Sequence, residues 1–176
     1  MHALMKRLTD TKVLTASAML LAIAVILGFF KIPVSDVAEI RLQFLPVACA
    51  GMLFGPAVGG VIGGLTDVLA FLIKPTGPYF PGFTITGIIQ GLLYGIILYK
   101  KEPSLKRIIA VQLLDSFVIG LVLNTICLSI LYGQAVYAVF SARIIKTLIM
   151  LPVNILLLTA VLKGAAQINK RIFRDP

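Results

Sequence analysis

Charged and amide side chains occur at isolated positions within segments that are otherwise apolar. Asp67 follows a glycine-rich stretch, Asn124 lies in a long apolar run, and Arg143 and Lys146 share the pattern Arg-x-x-Lys. A charge in a hydrocarbon environment is unfavourable unless it is paired or faces water. These side chains therefore indicate a ligand-binding site. The alternative for Asp67 is a structural pair with a buried Arg, Lys or Asn.

A second feature is the stretch 74–83, which reads Lys-Pro-Thr-Gly-Pro-Tyr-Phe-Pro-Gly-Phe. Proline lacks a backbone donor and pushes its predecessor out of the helical region, so the three prolines predict a structured loop. Tyr79, Phe80 and Phe83 would then lie on a stiff backbone, which suits flat contacts with a planar ligand. The alternative is a rigid connection whose aromatic rings lie at the membrane interface.

The composition predicts an integral membrane protein that forms one domain over residues 1–176. Hydrophobic residues make up 59% of the chain and charged residues 13%, with a mean hydropathy of +1.03. In soluble proteins about 25% of residues are charged.

Several kinds of chemistry are disfavoured by what the sequence contains. The single histidine, His2, lies at the N-terminus, and Cys49 and Cys127 lack the spacing of metal ligands. No glycine-rich sequence continues into Gly-Lys-Ser/Thr, so a P-loop is absent. We therefore expect neither an enzyme nor a cofactor, and uphill transport would draw its energy from another protein.

The net charge of +9 reflects the orientation of the chain in the membrane rather than binding to nucleic acid. Eleven of the sixteen basic residues cluster at residues 6–12, 100–107 and 163–174, beside the ends of apolar segments, as cytoplasmic ends require. This arrangement predicts an all-α protein with six transmembrane helices and both termini in the cytoplasm. The predicted helices are 13–30, 44–54, 57–73, 83–99, 108–131 and 141–166.

The remaining basic residues map to the outer side, where the positive-inside rule does not place them. An anionic ligand that arrives from outside would account for them. These residues are Lys31, Arg41, Lys74, Arg143 and Lys146.

Small residues predict close helix contacts at two places. Gly59, Gly60, Gly63 and Gly64 form overlapping Gly-x-x-x-Gly pairs, so the third helix should approach a neighbour closely. In the first helix, the spacing of Ala18 and Ala22 allows either an internal packing seam or a docking face for another membrane subunit.

The outer halves of the helices thus present three cations, one carboxylate and one amide beside a rigid aromatic loop. A matching ligand is planar and heteroaromatic, offers a donor edge to the carboxylate and carries negative charge elsewhere. A pterin joined to a glutamate tail fits this description. The polar residues are Arg41, Asp67, Asn124, Arg143 and Lys146.

Sequence motifs across the whole chain resemble the substrate-binding S components of energy-coupling factor (ECF) vitamin transporters, and among them the folate type. The motifs are Phe44-Leu45-Pro46, Ala50-Gly51-Met52-Leu53-Phe54-Gly55-Pro56, Gly64-Leu65-Thr66-Asp67, the loop from Pro75 to Thr84, Asn124-Thr125, Leu131-Tyr132-Gly133 and Arg143-x-x-Lys146.

This resemblance implies a high-affinity, multi-pass vitamin-binding subunit of a prokaryotic plasma membrane. Its partners would be folate or a reduced folate, a shared transmembrane scaffold, two cytoplasmic ATPases and membrane lipid, without nucleic acid. Family members are thought to topple in the membrane when the ATPases work. Ala18 and Ala22 match the small-residue motif that meets the scaffold.

Chemistry suggests a role for each matched position. Asp67 would accept two hydrogen bonds from the amino-pyrimidine edge of the pterin, and Asn124 would hold neighbouring polar atoms. Tyr79, Phe80 and Phe83 would cover the rings and close the lid. The three cations, Arg41, Arg143 and Lys146, would hold the glutamate carboxylates or stack on the aromatic system.

Three alternatives remain, and Asp115 has no assigned role in any of them. The fold could bind riboflavin, thiamine or biotin, although thiamine is cationic and biotin lacks a large aromatic system. A membrane-embedded enzyme for lipid or isoprenoid phosphates would need clustered aspartates or a catalytic histidine, which the sequence lacks. A purely structural subunit would leave Asp67 and the outer cations without a role.

Overall fold

Apolar helices make up most of the computed structural model, which describes residues 11–35, 38–73, 78–133 and 136–172. A short antiparallel hairpin joins the first two helices. The elements are α1 (Thr11–Phe29), β1 (Lys31–Ser35), β2 (Ala38–Arg41), α2 (Phe44–Phe54), α3 (Pro56–Ile73), α4 (Pro81–Leu98), α5 in three consecutive segments (Leu105–Leu114, Asp115–Leu123 and Asn124–Tyr132), and α6 (Val136–Ile172).

Five of the described helices, α1, α3, α4, α5 and α6, are long and apolar enough to cross a membrane. The sixth, α2, has only 11 residues, and all of them except Leu53 are buried. A helix enclosed by its neighbours can be short because it does not have to match the lipid thickness. The six helices agree with the six predicted segments.

Helices α2, α3 and α4 pack backbone against backbone along a seam of glycines. A Cβ atom added to Gly59 would lie 2.6 Å from the carbonyl oxygen of Gly91, and one added to Gly87 would lie 2.8 Å from that of Gly63. No side chain fits at these distances, so the seam requires glycine. The prediction that the glycines of α3 bring a neighbour close is confirmed, and the repeat Gly87-x-x-x-Gly91 of α4 forms the other half.

Two apolar clusters lie on either side of α2. One joins α2 to α4, α5 and α6 and includes the fully buried Tyr94, Leu98 and Leu158. The other joins α1 to α2 and α3 and includes Ala24 and Val47. Helix α2 is therefore the centre of the bundle, and burial of these side chains stabilises it from both sides.

The hairpin is not among the predicted elements, because the sequence predicts only a connection between the helices 13–30 and 44–54. Lys31 pairs with Arg41 and Ile32 with Ile40, and the register shifts between Pro33 and Ser35. Proline and charges within such short strands obscure the alternating pattern of a strand. An isolated two-stranded hairpin is marginal in water, and here β2 also lies against α6.

Three helix predictions differ from the structure in their details. Helix α6 extends beyond the predicted bounds 141–166 at both ends. Hydropathy identifies only the residues that cross the hydrocarbon core, and a helix can continue beyond the core. Helix α4 begins at Pro81 rather than Phe83, since proline is well tolerated in the first turn. The middle segment of α5, Asp115–Leu123, is π-helical, which apolar periodicity does not reveal.

The glycine seam leads to a stability prediction. Replacement of Gly91 by alanine places a methyl group against the carbonyl oxygen of Gly59, so we expect Gly91→Ala to lower the free energy of unfolding by about 1–3 kcal/mol. Thermal unfolding of the purified protein measures the effect. Gly164→Ala is the matched control, because no atom lies within 4 Å of the added carbon and α6 gains helix propensity. Equal melting temperatures for the two variants would contradict the conclusion that the seam requires glycine.

Candidate functional site

A cavity of about 270 Å³ lies among α2, α3, α4, α5 and α6. Its size is close to the lower end of the range for small-molecule sites, ~300 Å³. The wall combines apolar and aromatic groups, amides, hydroxyls and four charged side chains. The lining residues are Gln43, Phe44, Val47, Gly63, Asp67, Phe83, Thr86, Gly87, Gln90, Asp115, Ser116, Ile119, Gly120, Asn124, Arg143, Lys146, Thr147, Met150 and Asn154.

Five of the eight predicted ligand contacts line this one cavity. They come from four different helices, so only the fold brings them together. Asp67 lies on α3, Phe83 on α4, Asn124 on α5, and Arg143 and Lys146 on α6. Of the other three, Tyr79 and Phe80 are not among the described lining residues.

Asp67 is held by a hydrogen-bond chain that leads to the aromatic loop. The hydroxyl of Thr84 donates to Oδ2 of Asp67 at 2.8 Å, and the Tyr79 hydroxyl lies 2.9 Å from the same Thr84 oxygen. Since Thr84 has one hydroxyl proton and uses it on Asp67, Tyr79 must be the donor to Thr84. Asp67 keeps free lone pairs for a ligand, and Tyr79 acts on the site through Thr84.

The three aromatic rings of the loop lie at different distances from the cavity. Phe83 lines the cavity, and Phe80 packs edge-on against it with ring centroids 6.0 Å apart. Tyr79 is 45% exposed and packs against Phe71 at 5.1 Å. Of the three rings predicted to cover the ligand, Phe83 lines the cavity, and Phe80 packs against the ring of Phe83.

Two predicted positions lie partly or wholly outside what the structure describes. Arg41 is the last residue of β2, where its backbone pairs with Lys31, but its side chain is outside the described set. Lys74 and residues 75–77 of the loop are also outside the described residues.

A second carboxylate, Asp115, lines the cavity and was not predicted as a site residue. Gln90 of α4 donates its Nε2 hydrogen to Oδ1 of Asp115 at 2.7 Å, and Nε2 of Gln112 lies 3.5 Å from Oδ2. Tyr94, which is fully buried, lies beside the same carboxylate. The neighbours of Asp115 given by these contacts, Gln90, Gln112 and Tyr94, are all uncharged side chains.

Helical spacing could have identified more of the lining. On α4, Phe83, Thr86 and Gln90 recur at three- and four-residue intervals, so they share one face. The same periodicity on α6 runs from Arg143 through Lys146 to Asn154. Polar residues that follow this period within an apolar segment indicate a face turned towards a cavity.

The described cavity wall carries one carboxylate more than the predicted set of three cations and one carboxylate, and the side chain of the third predicted cation, Arg41, lies outside the described set. Among the described lining residues there are two carboxylates, Asp67 and Asp115, and two cations, Arg143 and Lys146. Such a wall can pair with donors at one place and with anions at another. Within the described ranges, no three His, Cys, Asp or Glu side chains cluster as metal ligands.

The alanines of α1 point in two directions. Ala24 is fully buried against α2 and α3, whereas Ala18 and Ala22 are exposed on the outer face of the helix. Of the two alternatives for the Ala18 and Ala22 pair, the internal packing seam is therefore wrong for the isolated chain. The pair leaves a flat face available on the bundle surface.

Comparisons with known proteins place the chain in a family. Residues 12–168 match the family model described as "ECF transporter, substrate-specific component". The folate transporter FolT of Clostridium novyi is 39% identical over 120 residues, which cover 68% of this chain and 70% of that protein. The folate transporter FolT of Leuconostoc mesenteroides is 28% identical over 152 residues, or 83% of this chain and 82% of the relative.

The fold is also similar to a solved structure. A crystal structure of FolT bound with folic acid superposes with a TM-score of 0.80 and 32% sequence identity, covering 88% of this chain and 96% of the other. The family model spans most of the sequence and the fold extends over the same helices. The chain therefore belongs to the substrate-specific components of ECF transporters, and it is a multi-pass membrane transport component rather than an enzyme.

Proposed function

We propose that this chain is the folate-binding subunit of an ECF-type vitamin importer. The observation that carries the proposal is the convergence of Asp67, Phe83, Asn124, Arg143 and Lys146 on one cavity. Similarity in sequence and fold to folate transporters supports the same ligand.

The chemistry of the cavity wall suits the parts of folate. Arg143 and Lys146 provide positive charge for the glutamate carboxylates, and a guanidinium can pair with a carboxylate through two hydrogen bonds. Asp67 accepts from N–H groups of the ligand, and the Asn124 amide offers both a donor and an acceptor. Phe83 provides an aromatic face for a planar ring.

The distribution of charge along the helices supports the orientation in the membrane. Lys100, Lys101, Lys106 and Arg107 are exposed at the connection between α4 and α5, so this end faces the cytoplasm under the positive-inside rule. Phe83 lies at the opposite end of α4. The cavity then opens towards the outside, and with six crossings both termini are cytoplasmic.

Direct binding tests the ligand. We expect the purified chain to bind folic acid more tightly than riboflavin, thiamine or biotin in isothermal titration calorimetry. Arg143→Gln should weaken folic acid binding by about tenfold or more, because a charged hydrogen bond to a carboxylate is lost. Lys163→Gln is the matched control, since Lys163 is an exposed cation on the same helix outside the cavity.

Two results would count against the proposal. The first is a preference for another vitamin in the panel. The second is an equal effect of Arg143→Gln and Lys163→Gln, which would mean that the cavity cation does not contact the ligand.

The exposed alanine face supports the partner proposal. Ala18 and Ala22 lie one turn apart on the outer surface of α1, and small side chains let another transmembrane helix approach closely. We propose that a transmembrane scaffold protein docks there and links the chain to two cytoplasmic ATPases. These partners would supply the energy for release of folate to the cytoplasm.

A bulky residue on this face should prevent docking of the scaffold without changing folic acid binding. We expect Ala18→Trp to abolish co-purification of the chain with the co-expressed scaffold and ATPases, while folic acid affinity stays unchanged. Ala160→Trp places the same bulk at an exposed alanine of α6 and should leave the complex intact. Retention of the partners by Ala18→Trp would exclude this face as the docking site.

A further inference from the structure

Two rows of residues run along α5 on opposite faces. The first row is apolar, with exposed fractions between 43% and 48%, and consists of Leu114, Val118, Val122 and Ile126. The second row lines the cavity and consists of Ser116, Gly120 and Asn124. Members of each row are four residues apart, and the rows are offset by two residues, which is about half a helical turn. The second row therefore faces away from the exposed side.

The π-helical segment of α5 keeps these rows straight. In an α-helix a step of four residues passes a full turn by about 40°, so the three steps from Leu114 to Ile126 would carry a row about 120° around the helix. A π-helical turn takes about 4.4 residues, so a step of four falls slightly short of a turn. The backbone N–H of Asn124 donates to the carbonyl oxygen of Ile119, five residues earlier, as this geometry requires. Gly120 is thereby kept on the cavity face.

Gly120 lies in the middle of the cavity row, and the position of its missing side chain is open. Among the residues that the structure describes, a Cβ atom added there would meet only the carbonyl oxygen of Asp115, at the ordinary contact distance of 3.6 Å. Ser116 and Asn124 line the cavity about one turn before and one turn after Gly120. The open space next to Gly120 therefore belongs to the cavity.

The other two glycines of the cavity wall, Gly63 and Gly87, are explained by packing. A Cβ atom at Gly87 would lie 2.8 Å from the carbonyl oxygen of Gly63, and one at Gly63 would overlap the carbonyl oxygen of Gly87. Gly120 has no comparably close neighbour in the described part of the chain. Because glycine is less favourable than alanine inside a helix, packing alone would favour alanine at position 120. The missing side chain therefore benefits the cavity rather than the packing of α5.

We infer that Gly120 is a specificity-determining residue, because the side chain that it lacks leaves the space in which the bound vitamin contacts the backbone of α5. This inference rests on the proposed function and assigns one residue to the width of that site. A larger residue at position 120 would exclude a ligand as large as folate, while the helices would still pack.

The size of the cavity makes this position sensitive. A volume of about 270 Å³ is close to the lower end of the range for small-molecule sites, ~300 Å³. Folate has two ring systems and a glutamate, so little of this space is spare. A leucine side chain at position 120 would fill a substantial part of the cavity.

Substitution of Gly120 by residues of increasing size tests the inference in the purified full chain. Folic acid affinity is measured by calorimetry. We expect Gly120→Ala to weaken binding by about tenfold, because the added methyl group overlaps the ligand. Gly120→Leu should weaken binding by about a hundredfold or more.

The melting temperature of the ligand-free protein should change in the opposite direction. Gly120→Ala should raise it by about 1–4 °C, because alanine is favoured over glycine within a helix and the methyl group enters open space. Gly164→Ala, the matched control on α6, should give a similar rise and leave folic acid affinity unchanged. Gly87→Ala should lower both the melting temperature and the affinity, because its methyl group meets the backbone of Gly63.

Two results would overturn the inference. The first is unchanged folic acid affinity in both Gly120 variants, and binding by the wild-type chain would then leave the proposed function intact. The second is a lower melting temperature together with weaker binding in Gly120→Ala, which would show that this glycine serves packing. Gly120→Ala decides the test alone if Gly120→Leu does not fold. If the wild-type chain binds no folic acid, the proposed function fails and the inference fails with it.

Discussion

The close backbone contact between α3 and α4 determines where the cavity can form. Because Gly59 and Gly63 face Gly91 and Gly87 without side chains between them, the two helices approach more closely than any larger residue would allow. Side chains off this seam, including Asp67, then face α5 and α6. Gly63 and Gly87 also line the cavity, so part of its wall is backbone without side chains.

Two carboxylates within the bundle are tolerated because neutral donors hold them. Thr84 donates to Asp67, and Gln90 donates to Asp115 at 2.7 Å. These hydrogen bonds offset part of the desolvation of each charge. Each carboxylate oxygen has two lone pairs, so both groups keep acceptor capacity that a ligand could use. The π-helical segment Asp115–Leu123 contributes by turning Asp115, Ser116, Ile119 and Gly120 towards the same space.

The sequence predicts those features that depend on local composition. The six apolar segments can be identified by their hydrophobicity. Asp67 and Arg143 can be identified as site candidates because a charge within an apolar segment is energetically unfavourable unless it is paired or faces water. The environment of Asp115 depends instead on Gln90, which is 25 residues away in sequence, and thus on tertiary packing. The position of Tyr79 behind Thr84 also depends on tertiary packing. Hairpins and π-helical turns leave no comparable signature in hydropathy.

The hydrogen-bond chain from Tyr79 through Thr84 to Asp67 connects the aromatic loop to the cavity wall. Thr84 has a single hydroxyl proton, so its donation to Asp67 fixes Tyr79 as the donor to Thr84. Thr84 occupies Oδ2 of Asp67, so a ligand N–H group at Asp67 would share that carboxylate with Thr84. Tyr79 thus supports Asp67 through Thr84 without lining the cavity itself.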